Sequence, residues 1–199
     1  MPATVTVEIK DTITPKLQAL IEECGSPNIN QKAGEGVAIL LRSHFRKLEA
    51  SRPNKNKWRR LHFWADCAKS VQNPILGGDR VVISINQKGI AFQRWGKEDV
   101  VPVNGAKALT IPADEEAYGK RAGEFGGDLK VVSLKMPDGR RLGALMRKSD
   151  SKILYWLKAR IHKDPDPTVL PTDAEITNAA ITSVESYLRA RKLLNSRRN

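Results

Sequence analysis

The sequence predicts an α+β fold, with a mainly antiparallel β-sheet packed against two or three helices, a long loop excursion and a C-terminal helix. Three observations carry this. Val37, Leu40, Leu41, His44, Phe45 and Leu48 recur at the spacing of one helix face. Residues 129–135 and 141–147 are β-rich runs on either side of Pro137-Asp138-Gly139, the chemistry of a hairpin turn. The element order, β-α-α-(α)-β-rich-α, runs strands together and sets helices apart, which is the α+β arrangement. A length of 199 residues allows one sizeable domain or two small ones, and the chain is read as a single domain over 1–199.

Taken in order, Val5, Val7 and Ile9 alternate with polar residues between Thr4 and Ile9, the pattern of a half-buried strand. A helix then starts at Thr12 or Thr14, with Pro15 suited to its first turn. Leu17, Leu20 and Ile21 share a face, and Gly25-Ser26-Pro27 ends it. The second helix begins near Asn30, and His44 falls on its apolar stripe as a core-edge residue. Residues 50–60 form a basic loop. Leu61 to Val71 reads as a short helix on which His62 and Asp66, four apart, could pair.

A turn is expected at 73–79, then a β-rich run from Arg80 to Asn86. Residues 87–106 hold too much Gly, Pro and charge for a helix and too little period for a long strand. They read as a long loop excursion, with Lys97-Glu98-Asp99 exposed at its centre. Lys107 to Ile111 suits a strand, and Asp114-Glu115-Glu116 places acids where a helical turn begins. Glycines at 119, 123, 126 and 127 keep that turn short. Ile153 to Ile161 alternates with dense β-branched and aromatic residues, so a strand closing a meander is favoured over a helix. Asp164 to Pro171 is a rigid turn. A final helix over 172–194 opens with a capping box, Thr172 and Glu175, and Asn195 to Asn199 frays.

Net charge is +12 and concentrated. Residues 42–60 carry eight bases against Glu49, and residues 188–199 carry five bases and no acid, so the rest of the chain is neutral. Such clusters suit an anionic partner, either DNA or an acidic protein face. The candidate contacts are Arg52, Lys55, Lys57, Arg59, Arg60, Arg189, Arg191 and Lys192. No apolar run approaches the ~18 residues that span a bilayer, so no membrane partner is expected. The first residues show no basic region followed by an apolar core, so the reading is of a chain without a signal peptide, made in a cytoplasm. Cys24 and Cys67 lie far apart without CxxC partners and read as small buried residues, not a disulfide or metal pair.

No reaction signature stands out. Gly34-x-Gly36 lacks the Gly-Lys-Ser/Thr ending of a phosphate loop, and no Gly-x-Ser-x-Gly elbow is present. Scattered histidines and cysteines do not suggest zinc. The expectation is a protein that is no enzyme and uses no cofactor. The tryptophans form no stacking platform for single strands. Trp58 beside Arg59-Arg60 is the only basic-aromatic cluster.

Three segments carry a likeness. Gly89, Ile90, Ala91, Arg94, Trp95 and Gly96 form the first. Lys107 to Pro112, continued by Glu116 to Ala122, form the second. Lys163-Asp164-Pro165-Asp166-Pro167, ending at Leu170-Pro171, forms the third. In this order they resemble the virion-morphogenesis, or tail-completion, proteins of Mu-like and P2-like tailed bacteriophages. The resemblance implies a structural subunit that forms a homo-oligomeric ring, a hexamer, at the virion neck. That ring would join the head-side connector to the tail terminator or tail tube around the channel through which DNA passes, assembled in the host cytoplasm. Its mechanism would be docking. The 89–106 stretch is then expected at a subunit or partner interface, with Arg94 and Trp95 as anchors, since Arg and Trp lead among interface hot spots, and with Lys97 and Val101 beside them. The rival expectation is a sequence-independent nucleic-acid-binding protein that uses the basic segments 42–60 and 188–199.

Overall fold

The computed structural model describes residues 13–53, 56–59, 61–78, 80–102, 106–137 and 139–193. The strand expected at Thr4–Ile9 and the end of the last helix at 194 lie outside them, as do Thr12, Lys55, Arg60 and Asp138. The fold is α+β: the described residues form five α-helices and eight strands, with the strand pairs among them antiparallel and a C-terminal helix. The chain divides into two compact units. One comprises Met1–His44, Ala68–Asn86 and Pro171–Asn199, the other Phe45–Cys67 and Gln87–Leu170. Two of the four boundaries fall inside helices, after residues 44 and 67, and the other two, after residues 86 and 170, fall between elements.

The first unit holds α1 (Thr14–Cys24), the first part of α2 (Pro27–Ser51), strands β1 (Ile75–Gly77) and β2 (Arg80–Val82), and α5 (Asp173–Ala190). Pro15 sits in the first turn of α1, where a missing N–H costs nothing. Pro27 does not end a helix so much as start the next one, for the same reason. The turn expected at 73–79 is a small hairpin, β1 pairing with β2 around Gly77-Gly78, extended by a bridge between Val71 and Ile85. Arg42 caps this end by donating to the Val71 carbonyl at 3.0 Å. At Gly36 the helices α2 and α5 meet so closely that a Cβ would fall 2.6 Å from the Ala179 carbonyl oxygen. Ser183 Oγ donates to the Lys32 carbonyl at 2.7 Å in the same place. The capping box at Thr172 and Glu175 is present as read.

Helix α1 is turned against expectation. Its buried residue is Glu23, while Leu17 and Ile21 of the apolar face are exposed. Glu23 accepts hydrogen bonds from Tyr187 Oη (2.6 Å), Ser26 Oγ (3.1 Å) and Asn28 Nδ2 (3.4 Å), and Arg191 lies 3.3 Å away. Turning Glu23 inward turns its neighbour outward. Cys24, expected to be buried, is exposed, whereas Cys67 is buried as read.

The second unit is built on a four-stranded sheet of order β4-β7-β6-β5. The hairpin is found at its expected bounds, β5 (Leu129–Lys135) with β6 (Arg141–Arg147), and Gly139 takes the positive φ that the turn requires. Strand β7 (Ile153–Lys158) closes the meander and pairs on its other side with β4 (Leu109–Pro112). The chain then breaks at Ala159-Arg160, and β8 (Ile161–Lys163) leaves to pair with β3 (Lys97–Val100). Ala117, Leu154 and Tyr155 are fully buried, with Phe125, Leu129 and Leu145 packed against them. Tyr155 keeps its hydroxyl satisfied by donating to the Lys120 carbonyl at 3.0 Å. Asp114 caps the 3₁₀ turn Glu115–Ala117, the helical turn that the acids there announced.

The excursion at 87–106 is not a loop throughout. It contains α4 (Ile90–Trp95) and β3. Two of its glycines bracket the helix and do not interrupt it: Gly89 precedes it with φ +92° and Gly96 follows it with φ +64°.

The Glu23 cluster yields a test. The Tyr187 hydroxyl is the largest of the influences that hold the Glu23 carboxyl below its ordinary value. A carboxyl depressed on folding adds stability above the unfolded value, about 4.3, and that stability is lost as pH falls through the folded value. Tyr187→Phe therefore lowers the unfolding temperature at neutral pH, and the gap to the parent protein closes at acid pH. Thermal melts across pH check this.

Candidate functional site

The first and third resembling segments meet at Gly96. A Cβ on this residue would fall 2.3 Å from the Lys163 carbonyl oxygen and 2.7 Å from the Pro165 nitrogen. With φ +64° and ψ −170°, the backbone itself also calls for glycine. The contact continues on both sides. Asp166 N–H donates to the Gln93 carbonyl at 3.1 Å, and β3 pairs with β8 through Lys97 opposite Lys163 and Val100 opposite Ile161. Within β8, His162 bridges the Glu98 carbonyl (3.1 Å) and the Asp164 carboxylate (2.9 Å), and Asp164 is the main cause that raises its pKa.

Asp166 is the knot of the third segment. Its carboxylate accepts from Thr168 N–H (2.9 Å) and Thr168 Oγ1 (2.5 Å), and from Arg52 Nη1 (2.8 Å). The Thr168 hydroxyl is the chief cause that holds its carboxyl below the usual range. Arg52 also reaches Thr168 Oγ1 and lies 5.4 Å over the Trp64 ring.

This junction decides what the candidate interface residues do. Trp95, the last residue of α4, is 67% exposed, and Val101 and Lys97 are exposed. Arg94 is half-buried, and its Nε is buried without a hydrogen-bond partner. Three of the four therefore face solvent along one short run of chain, while Arg94 is turned partly inward. Trp95 thus leaves an indole in water at the end of a six-residue helix.

The basic residues divide differently. Arg59 donates its backbone N–H to Glu115 Oε1 (2.6 Å) and its guanidinium to the Tyr118 carbonyl (2.8 Å), while Trp58 packs on Tyr118 at 5.5 Å. Arg189 pairs with Glu185 at 3.0 Å. Arg191 pairs with Glu23 and lies over the Tyr187 ring. With Arg52 tied to Asp166, these four guanidinium groups tie the chain to itself. Lys57 and Lys192 are exposed, each at positive φ. A count of charge along the sequence could not separate the two kinds.

A cleft of about 540 Å³ in the second unit is lined by Glu49, His62, Phe63, Trp64, Gln93 and Tyr118, among others. His62 does not pair with Asp66. It stands before α3 (Phe63–Ser70) at φ +53°, so its carbonyl takes the Asp66 N–H and its Nδ1 lies 2.9 Å from Glu49 Oε1. The described lining holds no Ser, Thr or Cys beside this acid–imidazole pair. Among the described residues, no three His, Cys, Asp or Glu side chains are grouped so as to hold a metal ion. No described helix is long and apolar enough to cross a membrane.

Comparison with protein-family models, with curated proteins and with solved structures finds no match to this chain.

The junction is tested by one methyl group. Gly96→Ala must open the contact with 163–165 and is expected to destabilise the fold by at least ~2 kcal/mol. Gly123→Ala, where a Cβ meets nothing within 4 Å, is expected to stay within about 0.5 kcal/mol of the parent in the same denaturant titration.

Proposed function

We propose that this chain is a structural assembly subunit of a tailed-phage virion or prophage, a tail-completion protein that acts at the neck in joining head to tail. One observation supports the reading above the others. Two of the segments that resemble that family, 89–96 and 163–167, are packed backbone to backbone at Gly96, and their junction presents Trp95 at 67% exposure. A subunit of this kind works by covering surface, not by making bonds, and an exposed indole on a rigid support suits that task. The neighbours would be a head-side connector on one face, a tail terminator or tail tube on the other, and further copies of the chain in a ring around the DNA channel.

The rival, sequence-independent binding of nucleic acid, rests on the two basic clusters. It is weakened by Arg52, Arg59, Arg189 and Arg191, whose guanidinium groups are engaged within the chain.

An early stop codon in the gene, in the phage or prophage that carries it, is expected to give DNA-filled heads beside separate tails in electron micrographs of the lysate. Supplying the protein in trans should restore joined particles. Trp95→Ala should fail to restore them while melting at the parent temperature, with a loss of about 2 kcal/mol of docking energy. Joined virions in the stop-codon lysate would remove the joining role and bring the nucleic-acid reading forward.

A further inference from the structure

Strand β5 is an open edge of the four-stranded sheet. The order β4-β7-β6-β5 gives it β6 on one side and, among the described residues, no strand on the other. The register tells which of its backbone groups are taken. Met136 N–H donates to the Arg140 carbonyl at 2.8 Å, and Lys148 N–H donates to the Asp128 carbonyl at 2.8 Å. These contacts lie at either end of the pairing, so its even-numbered residues are the hydrogen-bonded ones. Lys130, Val132 and Leu134 therefore bond to β6, while Leu129, Val131, Ser133 and Lys135 turn their N–H and C=O groups outward. Val131 is 73% exposed there, and Ser133 and Lys135 are exposed. Free edges are ordinarily blunted by shortness, proline, a bulge or charge. Strand β4, at the other side of the sheet, has four residues and ends in Pro112. Strand β5 has seven, contains no proline and pairs with β6 in unbroken register.

Charge is the one guard left on this edge, and it is selective. Lys135 stands directly opposite Arg141, in a pair without mutual hydrogen bonds, where the Cα atoms are ~4.5 Å apart. Like charges so placed oppose each other. Among the described residues, Lys130, Lys135 and Arg141 have no acidic partner. The acids at the other end of the hairpin are engaged: Asp128 accepts from Ser149 Oγ at 3.0 Å, and Glu116 and Asp150 pair with Arg147. A second copy of β5, Leu-Lys-Val-Val-Ser-Leu-Lys, would bring more bases to the edge and no acid. A strand with a carboxylate opposite Lys135 would set it beside both cations. Val131 lies on the same face as Lys135, four residues along the strand, so an apolar residue four positions from that acid would cover it.

We propose that the outer edge of β5 is a docking site for an extended acidic segment of another protein, which joins the sheet as a further strand. The backbone of that segment exchanges hydrogen bonds with Val131, Ser133 and Lys135, and these hold it. Its carboxylate, set beside Lys135 and Arg141, and its apolar side chain on Val131 select it. The inference goes beyond the neck reading. It is argued from the sheet of the second unit alone and does not depend on the phage assignment.

The probe is a blocked threonine peptide that carries one Glu and one Val four positions apart, added to the isotope-labelled full chain. By nuclear magnetic resonance, the amides of Val131, Ser133 and Lys135 should exchange quickly with deuterium in the free chain. Saturating peptide should slow them by about tenfold or more, while the amides of Lys130, Val132 and Leu134 stay protected throughout. Ser133→Pro removes an outward N–H at a place where an edge strand tolerates proline. It should keep the parent circular dichroism and weaken the peptide about tenfold. Lys135→Glu serves should that variant fail to fold: it pairs with Arg141, melts no lower than the parent and also weakens the peptide about tenfold. Protection of the Val131, Ser133 and Lys135 amides already in the free chain would mean a covered edge and overturn the proposal. So would a peptide that protects none of them, or equal binding of a peptide with Gln in place of Glu. Dimers of the free chain joined through β5 would overturn it as well, since the edge would then admit a copy of itself. The stop-codon lysate decides the neck reading separately, and neither result alters the other.

Discussion

The absent Cβ of Gly96 is the constraint on which the second unit most depends. At this point the backbone turns out of α4 at a positive φ and passes within 2.3 Å, measured from an ideal Cβ, of the Lys163 carbonyl. Everything adjacent follows from that approach. It starts β3 in register with β8, and it places Asp166 N–H on the Gln93 carbonyl. It also sets Asp166 where Arg52 and Thr168 can satisfy it. A short helix has little stability of its own. Six residues hold helical geometry here because a glycine stands at each end and a packed turn lies against them. Trp95 is thus presented by backbone geometry and not by a flexible loop.

The first unit answers to a different constraint, the buried Glu23. A carboxylate away from water is tolerated only when its oxygens are satisfied. The hydroxyl of Tyr187, together with Ser26, Asn28 and Arg191, does this. The same cluster fixes the rotation of α1, and through it the exposure of Ile13, Leu17 and Ile21. Polar satisfaction inside and apolar exposure outside are two sides of one rotation. In both units, then, a strongly specified local contact holds apolar side chains in water.

Much of this was legible from residue order alone. The hairpin bounds at 129–135 and 141–147, the capping box at Thr172 and Glu175, and the acid-led turn at 114–117 rest on local chemistry, and local chemistry decided them. The strand reading of 153–161 held over 153–158, where β-branched and aromatic density favours a sheet that already has a hairpin to join, while the chain breaks at Ala159-Arg160. What failed depended on contacts distant in sequence. Gly89 and Gly96 looked like helix breakers in a loop, since nothing local says that they terminate a helix instead. The outward turn of Leu17 and Ile21 depends on Tyr187, more than 160 positions away, so amphipathicity pointed to the wrong face. Among the candidate site residues, Trp95, Lys97 and Val101 are exposed and Arg94 is half-buried, a difference that residue order does not show. The basic residues were separable only by their acidic and aromatic partners, which composition does not reveal.

The central claim is that the Gly96 junction holds Trp95 out for a partner to cover. Hydroxyl-radical footprinting of Trp95, with mass-spectrometric readout, tests it directly on the free chain and on purified particles that contain it. The account predicts ready oxidation of Trp95 in the free chain and strong protection in the particle, with buried Tyr155 unreactive in both. Equal oxidation of Trp95 in the two states would contradict it.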